Sequence, residues 1–414
     1  MVDAWPFVRL GEICQVTSSK RIYAKELVPS GVPFLKSTEI IEKVNGQDHS
    51  SLLYISEKRY QEIVKQTGGL EAGDVLLTSR GTLGIPYVVR SADRFHFADG
   101  NLTWFRYFCQ LDSRYLSYFF MSPLGKAELT KCVIGSSQAA YTIAALKKIE
   151  IALPPLPTQR RIAGILSAYD ELIENSQRRI KILESMARAF YREWFVRFRF
   201  PGHESVPRVA SPLGEIPQGW EVKRLADVAK VNHAQINARS APEELHYIDI
   251  SSVSPGQIDS ITTYAFADAP GRARRIVQHG DVLWSCVRPN RRSHAQVMHP
   301  EANTIASTGF AVLTATKVPF TFLYFATTTD DFVAYLTNNA TGAAYPAVTA
   351  PTFEKADLLV PSVALLRKFG DATIPMAEEI HALQRQIQNL RRTRDLLLPR
   401  LLSGQIDVEA LDHA

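Results

Sequence analysis

The sequence has little of the chemistry that marks several common protein classes. Only four cysteines occur in 414 residues, with no Cys-x-x-Cys pair, so neither a zinc knuckle nor a disulfide framework is indicated. No uninterrupted apolar run reaches the roughly 18 residues of a membrane span, and the first residues contain no basic leader with an apolar core. We therefore expect a cytoplasmic protein with reduced thiols and no membrane association.

Motifs of catalysis are also absent. The sequence contains no phosphate-binding loop, no His-Glu-x-x-His, no Gly-x-Ser-x-Gly and no Gly-x-Gly-x-x-Gly. It also lacks the Asn/Asp-Pro-Pro-aromatic tetrad with which adenine methyltransferases hold a flipped base. The ten histidines are isolated from one another in the sequence. We expect no catalytic residues, no metal site and no cofactor in this chain.

The composition is that of an ordinary folded protein. Apolar residues make up 46% of the chain, and 47 Lys and Arg exceed 42 Asp and Glu for a net charge of +5. This balance is compatible with an acidic partner but too weak to identify one. The length predicts two or three domains, each large enough to bury a core.

An internal repeat covers most of the chain. Trp5 is matched by Trp220 at an offset of 215 positions, and Asp74 by Asp281 at an offset of 207, so the second copy has eight fewer residues in a loop. The later offset then persists in further pairs: Leu116 and Leu323, Gly135 and Gly342, Thr142 and Thr349, Pro154 and Pro361, Gln177 and Gln384. Two copies are too few for a solenoid, so we expect a pseudo-two-fold arrangement within one chain.

Each copy is predicted to form a mixed α/β domain followed by a long helix, which makes the fold class α+β. Strands are expected at Val32–Leu35, Asp74–Thr78 and Leu102–Tyr107, and a helix at Ser113–Phe120. Prolines at the end of each domain precede the helices and end strand pairing. The predicted segments are the first domain at 1–157, the first spacer helix at 158–200, a Pro- and Gly-rich linker at 201–219, the second domain at 220–362, and the second spacer helix with the tail at 363–414.

Both long helices carry a heptad pattern. Apolar or small residues recur at alternating steps of four and three from Ile162 to Trp194, and ten matching positions run from Phe369 to Leu401. Pro375 predicts that the second helix starts or kinks there. We expect the two seams to pair as an antiparallel coiled coil with one domain at each end. The first seam is about 48 Å long, more than one DNA turn of roughly 34 Å.

Three stretches resemble a known family, the DNA-specificity subunits of type I restriction-modification systems. They are the Gly-Glu-Ile-Pro-Gln-Gly-Trp sequence at Gly214–Trp220, the Leu-Pro-Pro-Leu-Pro-Thr-Gln-Arg-Arg-Ile sequence at Leu153–Ile162, and the closing Leu396–Gly404. The resemblance covers almost the whole chain and includes the duplicated plan. It implies two target recognition domains in pseudo-two-fold arrangement, separated by an antiparallel two-helix coiled coil.

The resemblance also implies a function. A member of this family is a non-catalytic subunit that binds double-stranded DNA at an asymmetric bipartite site and recruits two methyltransferase subunits, which use S-adenosylmethionine. Restriction subunits with nuclease and translocase activity are further partners. Three alternatives stay open: a related system with a fused restriction-methylation partner, a coiled-coil interaction scaffold without a DNA site, and an enzyme whose site is too dispersed to recognise.

Base-reading candidates are polar residues in loops that follow strands, because Arg, Gln, Ser and Thr can form hydrogen bonds with base edges and phosphates. In the first domain they are Lys20, Arg21, Tyr23, Lys36, Thr78, Ser79, Arg80, Thr82, Ser136, Ser137, Gln138 and Tyr141. In the second they are Ser285, Arg288, Asn290, Arg291, Arg292, Tyr345 and Thr349. The Arg288–Arg292 cluster is the strongest candidate, since it gathers three cations and an amide.

Overall fold

A computed structural model describes residues 5–47, 51–135, 139–237, 239 and 241–409. The chain divides into two compact units. Unit 1 comprises Met1–Arg178 and Arg385–Ala414, and unit 2 comprises Arg179–Gln384. Each unit therefore contains one mixed domain together with a part of each long helix.

The first copy and its helix contain twelve strands and seven α-helices among the described residues. The strands are β1 (Phe7–Arg9), β2 (Gln15–Thr17), β3 (Leu27–Val28), β4 (Val32–Leu35), β5 (Leu53–Ile55), β6 (Val75–Thr78), β7 (Pro86–Val88), β8 (His96–Phe97), β9 (Leu102–Arg106), β10 (Val133–Ile134), β11 (Ala140–Tyr141) and β12 (Glu150–Ala152). The helices are α1 (Leu10–Ile13), α2 (Ser37–Val44), α3 (Glu57–Thr67), α4 (Ser113–Met121), α5 (Pro123–Lys131), α6 (Ile143–Leu146) and α7 (Leu156–Tyr191).

A π-helical turn, Arg192–Val196, continues α7 before the second copy begins. The strands of that copy are β13 (Arg208–Ser211), β14 (Gly214–Pro217), β15 (Glu221–Arg224), β16 (Ala229–Val231), β17 (Glu244–Ile248), β18 (Val253–Ser254), β19 (Gln257–Ile258), β20 (Thr262–Ala265), β21 (Ala273–Ile276), β22 (Val282–Ser285), β23 (His294–Gln296), β24 (Thr304–Ser307), β25 (Phe310–Ala315) and β26 (Asp357–Val360). The helices are α8 (Leu225–Val228), α9 (Phe320–Thr327), α10 (Asp330–Asn338), α11 (Ala350–Glu354) and α12 (Val363–Leu402).

The repeat in the sequence is a repeat in topology. The main sheet of unit 1 has the order β2-β9-β6-β7, and that of unit 2 the order β16-β25-β22-β23, with every neighbouring pair antiparallel. A second sheet in each unit contains one parallel pair, β4 with β8 and β17 with β24. The predicted α+β class, the three strands and the helix near residue 113 are confirmed.

The central strand β6 of unit 1 is buried on both faces. Val75 and Leu77 pack with Phe105 against the helices, whereas Leu76 packs with Trp104 in the core of the second sheet. All four residues of β6 are buried, which explains why its sequence shows no alternation of apolar and polar residues. Strand β22 of unit 2 is likewise buried throughout.

The two long helices pair in an antiparallel sense within each unit. In unit 1, Ile162 of α7 shares a core with Leu401 of α12, and Asp170 further along α7 binds the earlier residue Arg394 at 2.5 Å. In unit 2, Arg179 binds Glu379 at 2.5 Å. All twenty predicted seam positions are buried or half-buried, so the coiled-coil prediction is confirmed.

Two local expectations need correction. Helix α12 begins at Val363 and runs continuously past Pro375, so its predicted start at that proline is wrong. Proline removes one backbone donor, and burial of the seam on either side offsets this loss. The segment predicted as a linker contains the β13–β14 hairpin, and Ile216 within it and Trp220 just after it are buried in the core of unit 2.

The units differ where helix meets domain. In unit 1, the Tyr118 hydroxyl donates to Asp170 at 2.5 Å, and Arg394 donates to the other oxygen of that carboxylate. Unit 2 has apolar or small residues at the equivalent positions, and they line a cavity of about 310 Å³: Phe325, Ala377 and Ala187. His294 also lines this cavity, and burial lowers the pKa of its imidazole to about 4.

Candidate nucleic-acid interface

A Gly-Asp turn leads into the central strand of each main sheet. In unit 1, Asp74 accepts hydrogen bonds from Trp104 Nε1 at 2.8 Å and from the Glu71 backbone N–H at 3.0 Å. In unit 2, Asp281 accepts from the Thr314 hydroxyl at 2.6 Å. Burial raises the pKa of both carboxyl groups, and these hydrogen bonds partly oppose the rise. Asp74 and Asp281 thus hold the starts of β6 and β22, and the candidate loops follow the other ends of these two strands.

In unit 1, the loop after β6 is bound to two other segments. Arg80 forms a β-bridge with Ala140, and the Ser37 hydroxyl donates to the Arg80 carbonyl at 3.2 Å. These contacts bring Arg80 close to Lys36, which precedes α2, and to Tyr141 in β11. Lys36, Arg80 and Thr82 are exposed, and Tyr141 is half-buried: these are four of the predicted residues that the fold gathers on connected loops.

The loop after β2 carries three more candidates. His96 Nε2 donates to the Lys20 carbonyl at 3.0 Å, and burial lowers the pKa of this imidazole, so it holds the loop as a neutral group. Arg21 forms an ion pair with Asp99 at 3.0 Å, which offsets part of its charge. Tyr23 is 58% exposed and begins a short 3-10 turn.

Three predicted residues do not reach the surface. Thr78, Ser79 and Ser285 are at most 4% exposed. The Thr78 hydroxyl accepts from the Ile85 backbone, Ser79 donates to the Leu77 carbonyl, and Ser285 donates to the Val287 carbonyl. The expectation that these side chains contact DNA directly is corrected, because strand ends that lie under the loops need their polar groups paired internally. Ser136, Ser137 and Gln138 lie outside the described residues.

Unit 2 repeats the same loop attachment with different side chains. Val287 forms a β-bridge with Ala347, at the positions that correspond to Arg80 and Ala140. The guanidinium of Arg288 lies 4.7 Å from the ring centroid of Tyr345, and its Nη2 donates to the Ala344 carbonyl at 3.4 Å. The predicted residues Arg288 and Tyr345, far apart in sequence, are therefore in direct contact.

The arginine loop itself has a strained backbone. Arg288 and Arg292 have φ angles of 52° and 56°, in the left-handed region that bulky residues seldom adopt, on either side of the 3-10 turn Pro289–Arg291. Asn290 and Arg291 are exposed at its tip, and Arg292 forms an ion pair with Asp330. Thr349 is exposed and begins helix α11, where its backbone N–H donates to Thr352 Oγ1 at 3.4 Å.

Two cations near this loop were not predicted. The Thr308 backbone N–H donates to the Arg272 carbonyl at 2.8 Å, which places the exposed Arg272 beside the turn between β24 and β25. In the same turn, the Gly309 carbonyl accepts from the Cys286 backbone N–H. Arg275 lies near Cys286, whose thiol pKa burial raises to about 11, so this thiol is neutral at physiological pH. Arg275 lies within β21 and Arg272 directly precedes it. This segment lacks any loop signal, so only the sheet order reveals the proximity of the two arginines to the loop.

The groups presented by these loops are cations, hydroxyls, an amide and aromatic rings. Such groups bind phosphates and read base edges, and Arg stacked on an aromatic ring is a frequent recognition element. No helix in the described part of the chain combines the length and the apolar character that a bilayer span requires.

Comparison with known proteins agrees with this chemistry. Residues 2–185 match the model of the type I restriction modification DNA specificity domain. The MjaIX specificity subunit of a type I restriction enzyme from Methanocaldococcus jannaschii is 26% identical over 82% of this chain and 79% of its own length. The MjaVIII specificity subunit from the same organism is 21% identical over 99% and 95%.

A solved structure shares the fold. The S subunit of a type I restriction-modification system from M. genitalium superimposes with a TM-score of 0.61 at 15% identity, and the match covers 97% of both chains. The domain match lies in the first copy, whereas the relatives and the fold extend over both. The first copy therefore matches the type I restriction modification DNA specificity domain, and most of the chain is similar to type I restriction enzyme specificity subunits.

Proposed function

We propose that this chain is a non-catalytic subunit that binds double-stranded DNA, with each unit reading one half of an asymmetric bipartite site. It recruits two methyltransferase subunits, which bind S-adenosylmethionine and modify the DNA, and restriction and translocase subunits join the assembly. The chain itself binds no cofactor in this proposal.

One observation carries the proposal. The two units attach their candidate loops through equivalent backbone bridges, Arg80 with Ala140 and Val287 with Ala347, yet the side chains on the loops differ. Gly81 in unit 1 corresponds to Arg288 in unit 2, and Gly84 to Arg291. A shared scaffold with unlike polar tips is what two readers of different base sequences require. Two copies of one enzyme site would instead keep their polar residues.

The half-site that unit 2 reads is tested by replacing Arg291 and Arg292 with alanine. Log affinity falls with log salt concentration, and each phosphate that the protein no longer neutralises reduces the magnitude of this negative slope by about 0.9, so two fewer phosphates reduce it by about 1.8. Fluorescence anisotropy with labelled duplex over a series of salt concentrations measures this slope. The matched control is the Arg391→Ala, Arg392→Ala pair on α12, which removes the same charge from an exposed helix surface.

The expected result is weaker binding and a flatter salt dependence for the loop pair, with the helix pair close to the parent chain. Equal effects of both pairs would mean that only net charge matters and that this loop is not an interface. A scaffold without a DNA role predicts that neither pair changes binding and that no duplex is preferred.

The complete function is tested in a host that carries the chain with its methyltransferase partner. Sequencing of methylated adenines yields both half-sites and their separation. Exchange of residues 220–362 for the same segment of another family member should change one half-site and leave the other intact. The isolated chain, incubated with S-adenosylmethionine and unmethylated DNA that carries the identified site, should transfer no methyl group. Methyl transfer by the isolated chain would contradict a non-catalytic subunit.

A further inference from the structure

Three potential metal ligands meet on unit 2, away from the DNA-candidate loops. The ligand atoms of His279, His299 and Glu378 all lie within 4.8 Å of one another. His299 Nε2 is 2.6 Å from Glu378 Oε2, and His279 Nε2 is 3.6 Å from Glu378 Oε1. His279 and His299 are isolated in the sequence, but the fold brings them together with Glu378 from positions 20 and 79 residues apart.

Three separate elements position this cluster. His279 lies in the turn before β22, where its ring contacts Phe320 edge-on at 5.1 Å. His299 follows β23, and its ring lies 4.3 Å from that of His279 and 5.5 Å from that of His381. Glu378 projects from α12, one helical turn before His381. The side chains are thus held by a turn, a loop and a helix of the same unit.

We propose that His279, His299 and Glu378 bind one divalent transition-metal ion, with zinc as the preferred ion. Two imidazole nitrogens and a carboxylate oxygen form a donor set that Zn²⁺ takes, with water at the fourth position. Zinc bonds of about 2.0–2.2 Å place neighbouring ligand atoms about 3.3 Å apart. The 2.6 and 3.6 Å separations lie on either side of that value, so modest side-chain rotation closes the site.

The ligands are accessible and can be freed for the metal. The side chains of His279 and Glu378 are 36% and 37% exposed and that of His299 is 53% exposed, which gives an ion a path from solvent. Binding replaces the His299–Glu378 hydrogen bond by two metal bonds. The Nε2 proton of each histidine moves to Nδ1 of the same ring, and the long 3.3 Å contact from the His299 backbone N–H to His279 Nδ1 is given up.

The corresponding surface of unit 1 cannot bind a metal in this way. Alanines at positions 72 and 92 stand where unit 2 has His279 and His299, and only the helix carboxylate, Glu171, is retained. There the helix is held by an ion pair instead, with Arg90 Nη1 3.2 Å from Glu174. Zinc would tie α12 to the turn before β22 in unit 2 alone.

The test is a zinc titration of the full chain, purified without a polyhistidine tag and stripped with EDTA. A chromophoric chelator in competition measures stoichiometry and affinity, and a thermal melt measures stabilisation. We expect one zinc ion per chain and a higher melting temperature with zinc. Glu378→Gln and His299→Ala should each weaken zinc binding by at least about tenfold.

Folding of the variants is checked by the same melt without metal. His279→Ala and His299→Ala place in unit 2 the residue that unit 1 already has there, so both should fold. The matched control is His246→Ala, which removes another histidine–carboxylate pair of unit 2, the half-buried His246 with the exposed Glu301 at 3.5 Å, and should leave zinc binding unchanged. Absence of a stoichiometric ion, or equal affinity in Glu378→Gln and the parent chain, would overturn the proposal.

Discussion

Phe369 is the residue at which the helical seam and the second domain share one core. It is 0% exposed, and its ring centroid lies 4.9 Å from that of Phe195, 6.1 Å from Trp194 and 6.2 Å from Tyr191. Phe322 of α9 contacts it at 6.4 Å from the domain side. Phe369→Ala therefore removes a ring that joins α12, the end of α7 and the domain.

The expected loss is large because the surrounding rings cannot collapse into the space. Truncation of a fully buried Phe to Ala lowers the free energy of unfolding by about 3–5 kcal/mol. The neighbours here belong to helices fixed by other contacts, so about 4 kcal/mol is expected for unit 2, near a thousandfold in its folding constant. Phe369→Leu keeps most of the volume and should cost about 1.5 kcal/mol or less.

Equilibrium unfolding in urea, followed by tryptophan fluorescence, measures this loss, because Trp194 and Trp220 lie in the same cluster. With a slope of about 2 kcal/mol per molar urea, the midpoint of the unit 2 transition should fall by about 2 M. The control is Val363→Ala, an 80% exposed position on the same helix, where almost no change is expected. A shift below about 0.5 M, or one equal to the control, would refute the shared core.

Two further predictions concern the turn and the cavity of unit 2. Gly280 has a φ of +85°, and an added Cβ would lie 2.9 Å from Phe320. Gly280→Ala should therefore lower the free energy of unfolding in urea by about 2 kcal/mol, against about 1 kcal/mol for Gly81→Ala, where φ is +80° and nothing lies within 4 Å of an added Cβ. Equal losses would show that the close approach to Phe320 is unimportant. Burial lowers the pKa of His294 to about 4, below its ordinary value of 6.5. Between pH 4 and pH 6.5 the unfolded state therefore binds more protons than the folded state, and unit 2 should lose stability as the pH falls through this range. His294→Gln should flatten that part of the melting-temperature profile, and an unchanged profile would assign the acid sensitivity to other groups.

Much of the fold could be predicted because its signals are periodic or repeated. The offset of 207 that pairs Asp74 with Asp281 reappears as equal strand orders in the two main sheets. The heptad seam from Ile162 to Trp194 identifies the buried face of α7, since that spacing places the residues along one stripe of a helix. The candidate site was partly predictable for the same reason, as loops after strands contain Arg80 and Arg288.

The rest depended on which chain segments meet. Burial of Thr78, Ser79 and Ser285 could not be predicted from their polarity, because it depends on the neighbouring strands and loops that cover these strand ends. The hairpin at β13–β14 occurs in a segment whose prolines and glycines suggested a linker, and the core around Trp220 decides its structure.

The amino-acid sequence by itself therefore determined the duplicated plan, the two helices and their apolar seam, since local periodicity specifies which face of an element is buried. Only the tertiary structure decided the contact of Arg288 with Tyr345 and the meeting of His279, His299 and Glu378. Both depend on strand order and helix pairing, which long-range packing selects and which no local pattern encodes.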